Sequence, residues 1–177
     1  MHPNAELIDG FYTAFNDRDA ETMARSYADD ATFEDPAFGE LTADEARDMW
    51  RMLLGRATDD LRAEYRDIRA DDTAGTAHWE AYYTFQRHPV HNVIDATFSF
   101  RDGLISRHVD DFDWPRWAGQ ALGLPGKLLG RTSFLRSRVR AHRPRTARRL
   151  SRPAGLITRR CRVRCRRSPR GDATPRQ

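Results

Sequence analysis

Apolar residues near the start of the chain recur with the period of an α-helix. The stripe that predicts the first helix consists of Leu7, Ile8, Phe11, Tyr12 and Phe15. Apolar positions at this spacing form one face, so the segment is expected to be an amphipathic helix that packs on a core.

Two further helices are predicted before position 56. Asp19 suits the N-cap of a short second helix that carries Tyr27. Thr42 and Glu45 stand three positions apart, as in a capping box, and begin the third helix. Its apolar series consists of Ala46, Met49, Trp50, Leu53 and Leu54. Gly55 is expected to end this helix in a left-handed cap.

After position 55 the apolar period changes to two, which is typical of β-strands. The predicted strands cover residues 61–70, 74–87, 91–101 and 104–112, with a shorter β-like segment at 31–36. The alternation is clearest in the third of these, where one face carries Ile94, Ala96, Phe98 and Phe100. Helices first and strands afterwards predict an α+β domain, an antiparallel sheet with helices on one face.

Charge divides the chain into two segments. Residues 1–130 contain 13 basic and 25 acidic residues, whereas residues 131–177 contain 17 Arg and a single acid, Asp172. The whole chain is 39% hydrophobic, which is enough for one domain with a buried core. We therefore expect a domain over 1–130, which ends in short helical turns over 114–129, and a mostly disordered Arg- and Pro-rich tail over 131–177.

Two explanations of the basic tail remain open. Arginines can bind nucleic acid or another anionic surface through phosphates, without sequence preference. Alternatively, the segment is not selected as protein and reflects a shifted GC-rich reading frame or a lost stop codon. Residues 141–177 contain 13 Arg and no aromatic residue, so bases have no ring to stack on. Nucleic acid is therefore not expected as a specific partner.

Several classes of protein are excluded by the sequence. No apolar stretch approaches the roughly 18 residues of a membrane span, and the N-terminus lacks the pattern of a signal peptide. The cytoplasm is the expected location. The two cysteines, Cys161 and Cys165, form no zinc pattern, and His78, His88 and His91 are scattered. No glycine-rich phosphate loop is present, so neither a metal nor a cofactor is expected.

Four strings in order resemble the nuclear transport factor 2-like superfamily, which includes SnoaL-like polyketide cyclases and ketosteroid isomerases. They are FYTAFNDRD at 11–19, YADDATFEDP at 27–36, FSFRDGLI at 98–105 and HVDDFDW at 108–114. The resemblance covers about residues 5–130. It implies a cone, in which helices pack on a strongly bent antiparallel sheet around an internal cavity. Members of the superfamily include isomerases, cyclases, hydrolases and proteins without catalysis, so the fold does not fix the function.

The catalytic candidates are Asp35, His108 and Asp110. Asp35 stands where the resemblance places the general base of ketosteroid isomerases, although it can also cap the turn before Pro36. His108 and Asp110 share one face of a strand, and alignment at the turn places that face inward. They are expected to form an acid/base pair beside a partly hydrated cavity, or to satisfy each other on the sheet.

The ligand-binding candidates are Tyr12, Trp50, Asn92, Phe98 and Phe112. Alignment to ketosteroid isomerases places Asp95 at their oxyanion-hole aspartate, but the alternation turns Asp95 outward and Asn92 inward. The isomerase tyrosine falls on Phe11, one residue before Tyr12. Ketosteroid isomerase activity itself is therefore not expected.

The sequence predicts a SnoaL-like domain that binds a small, mostly apolar molecule. One hypothesis is cofactor-independent acid/base chemistry, such as isomerisation, cyclisation or hydration. The other is a noncatalytic module for ligand binding or dimerisation. In both cases a homodimer through the sheet is expected.

Overall fold

The computed structural model describes residues 1–123, which form four helices and six strands. The tail expected over 131–177, and the part of the expected helical turns beyond residue 123, lie outside the described residues. The helices are α1 (Pro3–Asn16), α2 (Ala20–Arg25), α3 (Ala43–Gly55) and α4 (Trp114–Ala121). The strands are β1 (Tyr27–Asp35), β2 (Gly39–Thr42), β3 (Arg62–Ala70), β4 (Ala74–Phe85), β5 (His88–Arg101) and β6 (Leu104–Phe112).

The predicted helix starts are confirmed by their caps. Asp19 accepts a hydrogen bond from the Thr22 backbone N–H at 2.9 Å, and Thr42 and Glu45 form the reciprocal capping box of α3. The predicted left-handed cap at Gly55 is wrong. Helical hydrogen bonding continues past Gly55, because the Arg56 N–H donates to the Met52 carbonyl at 3.2 Å and Arg56 itself has a φ of −108°.

The sheet has the strand order β2-β1-β6-β5-β4-β3. Four of its pairings are antiparallel, as expected, but β1 and β6 run parallel, so the sheet is mixed. Parallel neighbours need a long crossover, and nearly the whole domain lies between these two strands. β1 also begins at Tyr27, which the sequence assigned to a helix, and β2 is too short to give a period of its own.

Bulges bend the sheet around its core. The register shifts between Tyr27 and Thr32 in β1, and between Ser99 and Phe100 in β5. A bulge increases twist and bends the strand that carries it. α1 packs on β3 and α3 on β1, so the helices cover one side of the bent sheet. The expected α+β fold, in which helices pack on a bent sheet, is confirmed.

The alternation predicted for β5 decides which of its side chains face the core. Ile94, Ala96 and Phe98 are each at most 3% exposed. Asp95 is 80% exposed, and its carboxylate lies 2.7 Å from His78 on the outer face. Asp95 therefore faces away from the core, as the alternation indicated. Among residues 1–123, no helix has the length and apolar character that a membrane crossing requires.

Candidate functional site

A histidine and an aspartate lie inside the domain on β6. Their side chains face the helices because the two-residue period of the strand places positions 108, 110 and 112 on one side. His108 is 0% exposed and Asp110 is 4% exposed. Burial at this level is costly for polar groups unless they are hydrogen-bonded.

Hydrogen bonds connect this pair to three aromatic side chains. The Trp50 Nε1–H donates to the Tyr27 hydroxyl oxygen at 3.1 Å, and that hydroxyl lies 2.7 Å from His108 Nδ1. On the other side of the ring, His108 Nε2 lies 3.1 Å from Asp110 Oδ1. The Trp79 Nε1–H donates to the same oxygen at 3.2 Å. Both nitrogens of His108 and one oxygen of Asp110 are thus satisfied inside the core.

Aromatic rings enclose His108. Phe98 stacks on its ring at 4.3 Å between centroids, and Phe33 and Phe11 meet it edge-on at 5.1 and 5.6 Å. Trp50 lies parallel to it at 6.4 Å. This packing corrects the expectation that His108 borders a partly hydrated cavity, because its surroundings are closed by rings.

Asp35 lies at the end of β1, where its carboxylate accepts a hydrogen bond from the Phe38 backbone N–H at 2.5 Å. It therefore caps a turn, as one of the two interpretations predicted, although this turn spans residues 35–38 and contains Pro36 rather than preceding it. Burial raises the pKa of Asp35 to about 7, a net value to which the charge of Asp110 contributes and which the hydrogen bond from the Phe38 N–H opposes. Asp35 is the acidic group whose pKa lies closest to neutrality in this region, which suits proton transfer.

Tyr12 presents a buried hydroxyl without a hydrogen-bond partner among the described residues. Its ring is 0% exposed and lies between Tyr65 and Trp79, at centroid distances of 5.1 and 5.3 Å. Burial, together with the charge of Asp110, raises the pKa of Tyr12 well above its ordinary value, so the hydroxyl keeps its proton. A buried donor of this kind is available to an oxygen of a bound molecule.

The remaining ligand-binding candidates occupy two different places. Trp50 and Phe98 pack around His108 in the core, and the indole N–H of Trp50 is bonded to Tyr27. Asn92 faces inward and is 8% exposed, while Phe112 is partly buried at the end of β6, 6.4 Å from the Trp117 ring.

Tyr83 and Phe112 lie at strand ends beside Trp117 of α4. Tyr83 accepts a hydrogen bond from the Trp117 Nε1–H at 2.6 Å. Burial raises the pKa of Tyr83 to about 12, and the charge of Asp35 contributes to that rise against the hydrogen bond from Trp117. A cleft of about 780 Å³ lies at this edge of the sheet, and its lining includes Asp35, Asp110 and Phe112 together with the outer-face residues Asp95, Thr97 and Val109, but not His108. The structure thus brings Asp35 and Asp110 to one cleft and leaves His108 in the core.

Sequence reasoning missed two residues of the site. Tyr27 was assigned to a helix, although its β1 position places it opposite β6, paired with Ile105. Trp79 is not among the site candidates of the sequence, and only the pairing of β4 with β5 and of β5 with β6 brings its N–H to Asp110. The inward alternation of β4 was the available signal for Trp79, whereas the sequence carried none for Tyr27.

The other histidines lie outside the site. His78 and His91 are on the outer face of the sheet. There Glu80 accepts a hydrogen bond from His91 at 2.6 Å and forms an ion pair with Arg66 at 2.8 Å. Across residues 1–123, no three His, Cys, Asp or Glu side chains are grouped in a way that suits a metal ion.

Comparison with known proteins agrees with this architecture. A family model described as the SnoaL-like domain matches residues 8–108. An LEH-like epoxide hydrolase from M. tuberculosis is 20% identical with a TM-score of 0.59, and the match covers 72% of this chain and 93% of that one. No curated protein matches this sequence.

Two further solved structures share the fold. IdmH from Streptomyces antibioticus, a candidate polyketide cyclase, is 23% identical with a TM-score of 0.57, and the match covers 70% of this chain and 100% of that one. A protein from Catenulispora acidiphila with a ketosteroid isomerase-like fold, solved with trimethylamine, is 16% identical with a TM-score of 0.59, at 69% and 95% coverage. At these identities the likeness shows the fold and leaves the chemistry of this chain open.

Proposed function

The chain belongs to the SnoaL-like domain family, and on that premise we propose that it binds a small, mostly apolar molecule and moves a proton on it without a cofactor. The observation that carries this proposal is the pairing of two carboxyl groups, Asp35 and Asp110, at one cleft. Their surroundings differ, because Asp110 accepts two hydrogen bonds from side chains in the core whereas Asp35 has a pKa of about 7. Two carboxyl groups in different surroundings are a common basis of acid/base catalysis.

Asp35 is the proposed proton carrier. A group with a pKa of about 7 is present in both protonation states near neutral pH, so it can accept a proton at one atom and return it at another. This exchange matches isomerisation or cyclisation of a small carbonyl-containing molecule. Asp110 is the proposed second carboxylate, which stays charged and orients a polarised substrate.

The remaining candidates supply binding. Phe112 lines the cleft and suits an apolar ligand body. Tyr12 does not line the cleft, so its unpaired buried hydroxyl suits an oxygen of a ligand that reaches the interior of the domain. Asn92 offers a further amide on the same inner face. Trp50 and Phe98 act indirectly in this proposal, because they pack against His108 rather than along the cleft.

A noncatalytic binding module is the second candidate. The closed ring packing around His108 favours it, because that part of the interior is filled by the protein's own side chains. In this case Asp35 serves only to cap the turn after β1.

A general proton-transfer probe separates the two candidates. The base-promoted ring opening of 5-nitrobenzisoxazole needs one carboxylate, which takes the ring C–H proton while the N–O bond breaks to give a coloured phenolate. We expect the full-length protein to accelerate it as Asp35 ionises, with a midpoint near pH 7. Asp35→Asn should abolish this acceleration, and Asp102→Asn, in the exposed turn after β5, should retain it. Equal rates for wild type and Asp35→Asn would favour the binding module.

We also propose that two copies associate through the outer face of the sheet. Thr97 and Val109 lie there, opposite the buried positions of β5 and β6, and both also line the cleft that holds Asp35 and Asp110, so the proposed dimer would border that cleft. Sedimentation of Val109→Glu, compared with Leu53→Glu on the exposed side of α3, tests this. A monomeric Val109→Glu and a dimeric Leu53→Glu are expected, and an unchanged mass for Val109→Glu would contradict the proposed face.

A further inference from the structure

We infer that Tyr27 is a positioning residue which, oriented by Trp50, fixes His108 as the tautomer with its proton on Nε2 and so keeps a hydrogen-bond donor on Asp110. The consequence for catalysis rests on the proposed function. The tautomer itself does not, because it follows from hydrogen bonds inside the core.

The direction of the first hydrogen bond is fixed by chemistry. An indole N–H can only donate, so the Tyr27 oxygen accepts from Trp50 at 3.1 Å. The other partner of the Tyr27 hydroxyl among the described residues is His108 Nδ1, at 2.7 Å. Donation from Tyr27 to Nδ1 therefore satisfies the hydroxyl proton. A neutral imidazole that accepts at Nδ1 carries its proton on Nε2.

The hydrogen bonds on the other side of the His108 ring agree with this assignment. The Nε2–H of His108 points at Asp110 Oδ1 at 3.1 Å, and the Trp79 N–H reaches the same oxygen at 3.2 Å. An oxygen that accepts from two donors does not carry a proton itself, so Asp110 Oδ1 is the acceptor in both bonds. With this assignment each of the four donors has an acceptor.

The alternative states of His108 leave groups unsatisfied. With the proton on Nδ1, the Tyr27 hydroxyl would lose its acceptor, and the lone pair of Nε2 would face the Asp110 oxygen. A doubly protonated ring would also leave the Tyr27 hydroxyl proton without an acceptor among the described residues. Both states place unpaired polar atoms in a site that is 0% exposed, where water cannot compensate for them.

The packing leaves few other groups that could interfere. The rings of Phe11, Phe33, Trp50 and Phe98 contact His108 from α1, β1, α3 and β5. The titratable groups that meet it directly are Tyr27 and Asp110. Tyr12 and Asp35 lie one step further away, where the charge of Asp110 raises the pKa of each.

This series of hydrogen bonds assigns different roles to the polar residues. His108 does not line the cleft, so its effect on a substrate passes through Asp110. Because His108 and Trp79 both donate to Asp110 Oδ1, Asp35 is left to carry the exchangeable proton in the proposed reaction. His108, Tyr27 and Trp50 are thus positioning residues, and exchange with substrate takes place at Asp35.

The test is the protonation of His108 in the full-length protein without any ligand. Long-range proton–nitrogen correlation spectra of ¹⁵N-histidine-labelled protein distinguish the two tautomers and the imidazolium. We expect the Nε2–H form at pH 7 in wild type. In Asp110→Asn the amide can either accept or donate, so Tyr27 alone should preserve the Nε2–H form. In the double variant Tyr27→Phe/Asp110→Asn, both tautomers should be populated.

Controls keep the result independent of folding and of activity. Tyr82→Phe, on the outer face, removes the same hydroxyl and should leave the His108 signals unchanged. An Nδ1–H or imidazolium signal in wild type, or loss of the Nε2–H form in Asp110→Asn, would overturn the inference even if a Tyr27 variant failed to fold. If the tautomer is as expected but the probe reaction does not depend on Asp35, only the proposed function fails.

Discussion

Asp35 and Asp110 follow the paired residues Glu34 and Val109 on β1 and β6 and line one cleft, and the charge of Asp110 acts on Asp35. Burial is the larger cause of the raised pKa of Asp35, about 7, and the Asp110 charge adds to it. Among the described residues, Asp35 accepts hydrogen bonds from backbone N–H groups and is affected by the charge of Asp110. No basic side chain is among these contacts. Asp35 is thus held in an environment that favours its neutral form up to neutral pH.

The first prediction concerns how stability changes with pH. The pKa of Asp35 is about 7 in the folded state and 3.8 in a free carboxyl, so between these values the native state binds more protons than the unfolded state. Stability attributable to Asp35 is therefore lost as the pH rises through this window. A shift of about three units corresponds to roughly 4 kcal/mol as an upper bound. Asp35→Asn cannot titrate, so its stability relative to wild type should increase from pH 4 to pH 8.

Urea denaturation at pH 4, 5, 6, 7 and 8 measures this difference. Asp102→Asn removes one charge at an exposed turn and reports the general electrostatic effect of losing a carboxylate. A constant difference between Asp35→Asn and wild type across the series would show that Asp35 is not held in its neutral form.

The second prediction separates stability from binding at Tyr12. Its buried hydroxyl has no partner among residues 1–123, so removing that oxygen relieves a cost of about 1 kcal/mol or more. Tyr12→Phe should therefore be at least as stable as wild type, but should weaken binding of an oxygen-bearing ligand. Tyr65→Phe is the matched control, because its hydroxyl is bonded to Thr13 at 3.1 Å. Thermal unfolding checks the first effect, and a less stable Tyr12→Phe would indicate an unrecognised partner of the hydroxyl.

The third prediction concerns the core around His108. His108→Ala removes a ring that is 0% exposed and stacked against Phe98, and it also leaves the Tyr27 hydroxyl proton without its acceptor and Asp110 with one donor fewer. We expect a loss of roughly 3–5 kcal/mol, as for other large-to-small core substitutions. His78→Ala, on the outer face, should cost less than about 1 kcal/mol. Comparable losses in the two variants would contradict the closed packing around His108.

Much of the fold could be predicted from the sequence because local periods propagate along an element. One register of β5 determined that Asn92 faces inward and Asp95 outward, since a shift by one residue would reverse every side chain. The cap of α3 was readable from Thr42 and Glu45 alone. Both features depend on residues within one element.

The features that were not predicted depend on contacts between elements. Tyr27 lies in β1 because that strand pairs in parallel with β6. The residue of β6 that pairs with Tyr27 is Ile105, which is 78 positions further along the sequence. The hydrogen-bond chain joins β1, α3, β4 and β6, so no local pattern could indicate it. The closed surroundings of His108 likewise result from rings on four elements rather than from its own strand.

The fourth prediction tests how closely α1 and the sheet approach each other. A Cβ added at Gly75, on β4, would lie 2.9 Å from Ile8 Cδ1, 2.9 Å from a Phe100 ring carbon and 3.1 Å from the Arg69 carbonyl oxygen. The ring and the backbone cannot move aside without disturbing the core, so Gly75→Ala should cost about 1–3 kcal/mol. Gly10→Ala, inside α1, meets no atom within 4 Å and should gain about 0.5–1 kcal/mol from helix propensity. The two substitutions add the same methyl group, so opposite signs in urea denaturation can only reflect the space around each glycine and its backbone setting. A stabilising Gly75→Ala would show that α1 lies further from β4 and β5 than these distances require.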